Sequence, residues 1–168
     1  MKRAAAVFFA FLSLVFCLSS CADQKSDSNT TCRDILSAML ECEVALPAGK
    51  IYCATAPFGS EEYLSDSTLS SIIGNGKMPE ICKSWLDCAF FLAIKDHPCE
   101  LAVIYCQNRD AAMDTAKLLT SRLASSKLLK DESSYFENAK VTVIGNYALL
   151  IVSSDPDATL HVLKEVIG

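Results

Sequence analysis

The chain has 168 residues, 51% of them hydrophobic, and a formal net charge of −5 at pH 7. That acidic balance excludes a nucleic-acid binder working through a basic surface and a polybasic grip on anionic lipid headgroups. The length suits one domain with a real core.

Met1-Lys2-Arg3 is a short basic start, Ala4 to Leu18 carries no charge, and polar residues follow Cys21 at once. This is the layout of a secretory signal. A membrane-spanning helix wants about 20 apolar residues, more than this run supplies before Ser19 and Ser20. Leu18-Ser19-Ser20-Cys21 also resembles the lipobox of bacterial lipoproteins: an aliphatic residue, two small residues, then a cysteine. The resemblance implies cleavage before Cys21 and a diacylglyceryl group on its sulfur. A cleaved signal with Cys21 as an ordinary thiol is the rival reading. Residues 1–20 are thus expected to be a signal peptide, 21–31 a lipidated cysteine with a polar tether, and 32–168 one α+β domain. Loss of Lys2 and Arg3 leaves 13 basic against 20 acidic residues, or −7.

Of nine cysteines, Cys17 leaves with the signal and Cys21 is modified. Cys32, Cys42, Cys53, Cys82, Cys88, Cys99 and Cys106 remain. An odd number cannot all pair within one chain, and no C-x-x-C is present. Buried free cysteine behaves as a small apolar residue.

Along the chain, Ile35, Leu36, Met39, Leu40 and Val44 recur at helical spacing, predicting an amphipathic helix over 32–44 with Thr31 as N-cap. Residues 50–60 read as extended or irregular. Glu61 to Ile73 reads as one helix or two short ones, stopped at Gly74-Asn75-Gly76. Cys88–Ile94 and Glu100–Cys106 are continuous apolar runs around a polar break, the pattern of a β-hairpin. With Asp96-His97-Pro98 as a three-residue loop, Cys88 falls opposite Cys106. A two- or four-residue loop instead sets Cys88 opposite Tyr105, with the two thiols on opposite faces. Asn108 caps a long helix to about Leu129, with Ala112, Ala116, Leu119 and Leu123 inward. Residues 130–139 read as a loop. Lys140–Ile144 and Tyr147–Val152 form a second hairpin over Gly145-Asn146, a turn suited to positive φ. Ser154 or Asp155, with Pro156, starts a last helix whose buried side is Val162, Leu163, Val166 and Ile167. The expected architecture is therefore ββα-ββα: a four-stranded, mainly antiparallel sheet with helices packed on one face, preceded by N-terminal helices.

Three stretches of this chain are similar to a domain-of-unknown-function family of small lipoproteins from Gram-positive gut anaerobes. They are Leu69–Gly74, Glu100-Leu-Ala-Val-Ile with the long helix after it, and Gly145-Asn146-Tyr147-Ala-Leu-Leu-Ile-Val. The resemblance covers roughly residues 60–160 and the lipobox. It implies a membrane-anchored extracytoplasmic domain and transfers no activity, cofactor or catalytic residue. Relatives of that type carry few cysteines beyond the lipidated one, and the seven here depart from that pattern.

Constellations that carry chemistry are sparse. His97 and His161 stand in different elements, so a zinc site lacks its three or four ligands. His97-Pro98-Cys99 is the only local thiol–histidine arrangement, and a solvated hairpin turn beside a partly buried cysteine is the reading preferred for it. Gly74-Asn75-Gly76-Lys77 lacks the spacing of a phosphate loop and reads as a helix C-cap. Glu61-Glu62 and Asp131-Glu132 are adjacent carboxylates of the kind that face water. Asn29-Thr30-Thr31 matches a glycosylation acceptor that carries no meaning in a bacterial lipoprotein. No G-x-S-x-G is present, and no cofactor is called for. Two functions remain. One is a lipid-anchored, non-catalytic binding module that holds the membrane through Cys21 and takes a protein or small-molecule ligand. The other is a thiol-active envelope protein using Cys99 or a Cys88/Cys106 pair.

Overall fold

The computed structural model describes residues 30–43, 46–74, 76–94, 97–129 and 134–168. The signal, the lipobox cysteine, most of the tether, Val44, Asn75 and the Asp131-Glu132 pair lie outside the described residues.

Helix α1 (Cys32–Glu41) starts on a capping box. The Thr31 hydroxyl accepts from the Asp34 amide, and Asp34 Oδ2 accepts from the Thr31 amide at 2.9 Å. Two of the end's orphan donors are thereby satisfied locally. Cys32, Ile35, Leu36 and Met39 form the buried stripe. Strand β1 (Gly49–Cys53) is followed by a tight loop and by α2 (Asp66–Ile73), capped by Ser65. The helix expected from Glu61 therefore begins five residues later. Residues 61–64 are held instead to Cys53, whose amide donates to the Glu62 carbonyl at 2.8 Å. A 3-10 helix (Glu80–Ser84) leads into β2 (Trp85–Ala93), β3 (Glu100–Cys106) and the long α3 (Arg109–Leu129). Asn108 Oδ1 accepts from the Ala111 amide at 2.9 Å, the expected cap of α3. A short helix α4 (Ser134–Glu137) interrupts the segment expected to be loop, because Phe136 turns inward and is buried. Strands β4 (Lys140–Ile144) and β5 (Tyr147–Val152) meet over Gly145, whose φ of 56° is the left-handed value the turn needs. Helix α5 (Pro156–Ile167) is capped by Asp155.

The sheet has five strands in the order β1-β2-β3-β5-β4, every neighbour antiparallel. The protein is α+β, as expected, with β1 as an additional edge strand. The helices do not share one face. Cys88, Phe90, Ala102, Ile104, Ala148 and Leu150 point toward α2 and α3. Ala89, Phe91, Leu101, Val103, Leu149 and Ile151 point toward α1 and α5. The reason lies in the two central strands: every residue of Leu101–Ile104 and of Ala148–Val152 is buried. A strand apolar on both sides needs cover on both. The two ββα units thus rhyme in sequence but not in space, since α3 and α5 take opposite faces. On α5, Thr159 and Leu163 face inward with Leu160 and Ile167 beside them, while Val166 is exposed, contrary to expectation.

The first hairpin also departs from the expected register. Cys88 stands opposite Ile104, and Cys106 opposite Trp85 across a bulge at Leu86. The Ala93 amide donates to the Cys99 carbonyl at 3.2 Å, so the loop spans positions 94–98. A three-residue loop wants glycine at its left-handed position, and this loop has none. The longer connection also keeps Pro98, which has no N–H, out of the ladder.

One buried ion pair ties the α2/α3 face together. Arg122 of α3 donates from Nε to Glu100 Oε1 at the start of β3, and from Nη1 to the carbonyl of Ile72 near the end of α2. Glu100 is 6% exposed.

Candidate functional site

Of the seven cysteines expected to remain after processing, Cys32, Cys42, Cys53, Cys82, Cys88 and Cys106 are free thiols. Cys88 and Cys106 share one face and one cluster but sit diagonally, two residues out of register. Diagonal neighbours are about 7–8 Å apart, beyond the roughly 3.5–4.5 Å Cβ separation of a disulfide. Burial pushes the Cys88 thiol up to about 12, with the Asp87 carboxylate adding to it. Burial likewise raises Cys53 and Cys82 to about 11, and raises Cys106, whose Sγ lies 3.5 Å from Thr115 Oγ1. Cys32 is raised furthest, by burial first and then by Asp87. These thiols are held protonated, the opposite of what a nucleophile needs.

Asp87 has a structural duty at the same end of the sheet. One of its oxygens accepts from the Cys32 amide at 2.8 Å, the other from the Cys88 amide at 2.8 Å. It therefore complements the positive end of α1 from a neighbouring strand. Tyr105 and Tyr147 pack beside it with ring centroids 4.7 Å apart.

The opposite end of the sheet gathers polar side chains from separate segments. Glu43, just past α1, accepts through Oε2 from the Ser154 hydroxyl at 2.7 Å and the Ser154 amide at 3.3 Å. Its Oε1 is buried without a hydrogen-bond partner, and so is the hydroxyl of Ser153, a residue 1% exposed. Glu100 pairs with Val152, so continuing that register places Cys99 across from Ser153. His97 Nδ1 accepts from the Cys99 amide at 3.1 Å. That nitrogen therefore serves the backbone, and a neutral ring carries its proton on Nε2. The His97 ring meets Tyr135 edge-on at 5.2 Å. Burial, then the charges of Glu43 and Cys99, push the Tyr135 phenol up, keeping it a hydrogen-bond donor.

This corner offers a carboxylate oxygen and a hydroxyl with unused capacity, in a place where such groups are expensive to leave unpaired. Either atom can accept from an N–H or O–H donor. Ser153→Ala removes one orphan group. We expect stability unchanged or raised by up to about 1–2 kcal/mol, read from the urea midpoint. A loss of similar size would show that the hydroxyl already has a partner in solution.

The other sequence candidates do not converge. His161 sits on the exposed side of α5, 3.6 Å from Glu165. Among the described residues no group of three or more His, Cys, Asp or Glu could hold a metal. Glu62 pairs with Arg33 through two hydrogen bonds of 2.9 and 2.7 Å, while Glu61 is exposed. Gly74 and Gly76 both donate to the Ser70 carbonyl, the C-cap the sequence suggests. Glu43, Tyr135 and Ser153 were not singled out from sequence. The one signal for Tyr135 is an aromatic pair, Tyr135-Phe136, inside an otherwise polar segment. No described helix is long and apolar enough to cross a membrane. No protein-family model, curated protein or solved structure matches the chain.

Proposed function

We propose that the protein is a lipid-anchored extracytoplasmic module of the bacterial cell envelope, of the small-lipoprotein type that its sequence resembles, and that it binds a partner or ligand without catalysis. The observation that carries the location is Leu18-Ser19-Ser20-Cys21 closing an uncharged run behind Lys2 and Arg3. The capping box at Thr31 supports it, because α1 closes with partners inside the fold and needs nothing upstream. The thiols, which burial drives toward the protonated form, weigh against the thiol-active alternative. The corner of Glu43, Tyr135 and Ser153 is where a donor-bearing ligand would sit.

The test has two arms. Cys21→Ala expressed in a bacterial host should move the protein from the membrane fraction to the soluble fraction. A mutant that is processed and still stays with the membrane as firmly as wild type ends the lipid reading. In the second arm the folded protein meets a thiol probe at pH 7. We expect Cys53, Cys82 and Cys88, whose thiols are pushed up to about 11, 11 and 12, to react at least about a hundred-fold more slowly than after denaturation. One fast-reacting thiol in the native protein would revive the thiol-active alternative.

A further inference from the structure

We infer that Phe58 is a second membrane contact, a rigid apolar tip that enters the bilayer interface beside the lipid anchor. This rests on the lipid-anchor reading above.

Pro57-Phe58-Gly59-Ser60 is a hydrogen-bonded turn, with the Ser60 amide donating to the Pro57 carbonyl at 3.0 Å. Gly59 has φ +82°, the value that the third residue of a type II turn requires. Phe58 occupies the outer corner and is 90% exposed. Its ring is nevertheless held, edge-on to Tyr63 with centroids 5.1 Å apart. A second turn follows, the Tyr63 amide donating to the Ser60 carbonyl at 3.1 Å. Nothing in the domain lies within 4 Å of a Cβ built on Gly59, so the tip stands in open space. A large aromatic ring presented to water on a braced turn has already given up the freedom that binding would cost it.

The position of the turn selects the occupant. The paired hydrogen bonds from Arg33 to Glu62 fix this loop to the first turn of α1. That turn is where the segment from Cys21 enters the domain. The ten residues Ala22–Thr31 reach at most about 33–36 Å when fully extended, so a lipid on Cys21 keeps this end of the domain near the bilayer. Leu86, 57% exposed, stands at the same end, next to the Asp87 that receives the Cys32 amide. The loop adds no basic residue, and of its two carboxylates Glu62 pairs with Arg33 while Glu61 is exposed. With no cation to grip a headgroup the contact is apolar, and on uncharged phosphatidylcholine its strength should not depend on ionic strength.

The experiment uses the full chain, processed and lipidated in a bacterial host, carrying Phe58→Trp and reconstituted into phosphatidylcholine vesicles with brominated acyl chains. The protein with only its single native Trp85 is the background. The expected result is that position 58 emits further to the blue than in the Cys21→Ala protein free in solution, and is quenched by the brominated chains at both low and high salt. Emission that stays water-like, open to an aqueous quencher and untouched by bromine while the protein floats with the vesicles, overturns the Phe58 contact and leaves the anchor standing. A blue shift seen only in native membranes and not in protein-free vesicles overturns it in favour of a protein partner. Wild type that does not float, or processed Cys21→Ala that floats equally well, overturns the anchor and this inference with it.

Discussion

Replacing Arg122 by alanine is expected to cost about 3–5 kcal/mol, the usual effect of removing one partner from a buried ion pair. Arg122 is the cation for Glu100 and a donor to the Ile72 carbonyl, so one truncation strands two acceptors on the α2/α3 face. Glu100 cannot turn to water, because its side chain is 8% exposed at the start of a central strand. Exchanging both members for leucine and methionine should restore much of the loss, since the desolvation cost of the pair disappears with its attraction. Urea unfolding of the single and double variants measures this. A single variant within about 1 kcal/mol of wild type would mean that water reaches Glu100 and the pair behaves like an exposed one.

Neither residue of that pair stood out in the sequence. Glu100 opens an apolar run, and Arg122 is one of several cations on a helix with a weak apolar stripe. Their meeting depends on how α3 crosses the sheet, which local pattern does not encode. What periodicity does encode came through well. Thr31 and Asn108 cap the helices they were expected to cap, Asp155 rather than Ser154 caps the last one, and Gly145 turns the second hairpin. The two-faced cover of the sheet was also present in the sequence, as the unbroken apolar runs Leu101–Ile104 and Ala148–Val152. An alternating strand would have left one face for solvent. Strand β1 was hidden for the converse reason. Gly49-Lys50-Ile51-Tyr52-Cys53 is short, half exposed and without strong alternation, as edge strands often are. The register of the first hairpin turned on loop length, and a loop without glycine carries no sequence mark of its length. The polar corner draws Glu43, His97, Tyr135 and Ser153 from segments far apart in the chain, so only the folded backbone assembles it.

Above pH 9 the fold should lose stability steeply, and its own cysteines are the cause. A thiol whose pKa is higher in the folded than in the unfolded chain keeps its proton where the unfolded chain has released it. Ionisation then favours unfolding. The effect is absent below the unfolded value of about 8.5, grows as pH rises past it, and levels off beyond the folded value. Cys53 is raised to about 11 and Cys88 to about 12, both chiefly by burial. Each should remove about 1.4 kcal/mol per pH unit over its window, so the two together remove close to about 3 kcal/mol per unit between pH 9 and 11. Cys32 acts in the same direction, and Tyr147, raised to about 12, joins above pH 10. Against a typical domain stability of about 5–15 kcal/mol, the roughly 5–6 kcal/mol lost by pH 11 is enough to unfold a domain at the low end of that range. Urea titrations at several pH values between 8 and 11 give the slope. Cys88→Ala should lower stability at pH 8, because it leaves a small cavity, yet flatten the alkaline slope by about 1.4 kcal/mol per pH unit. An unchanged slope in that variant would assign the alkaline loss to other groups. The same property bears on the choice between readings: a core that raises its thiol pKa values this far favours cysteines that act as packing over the thiol-active alternative.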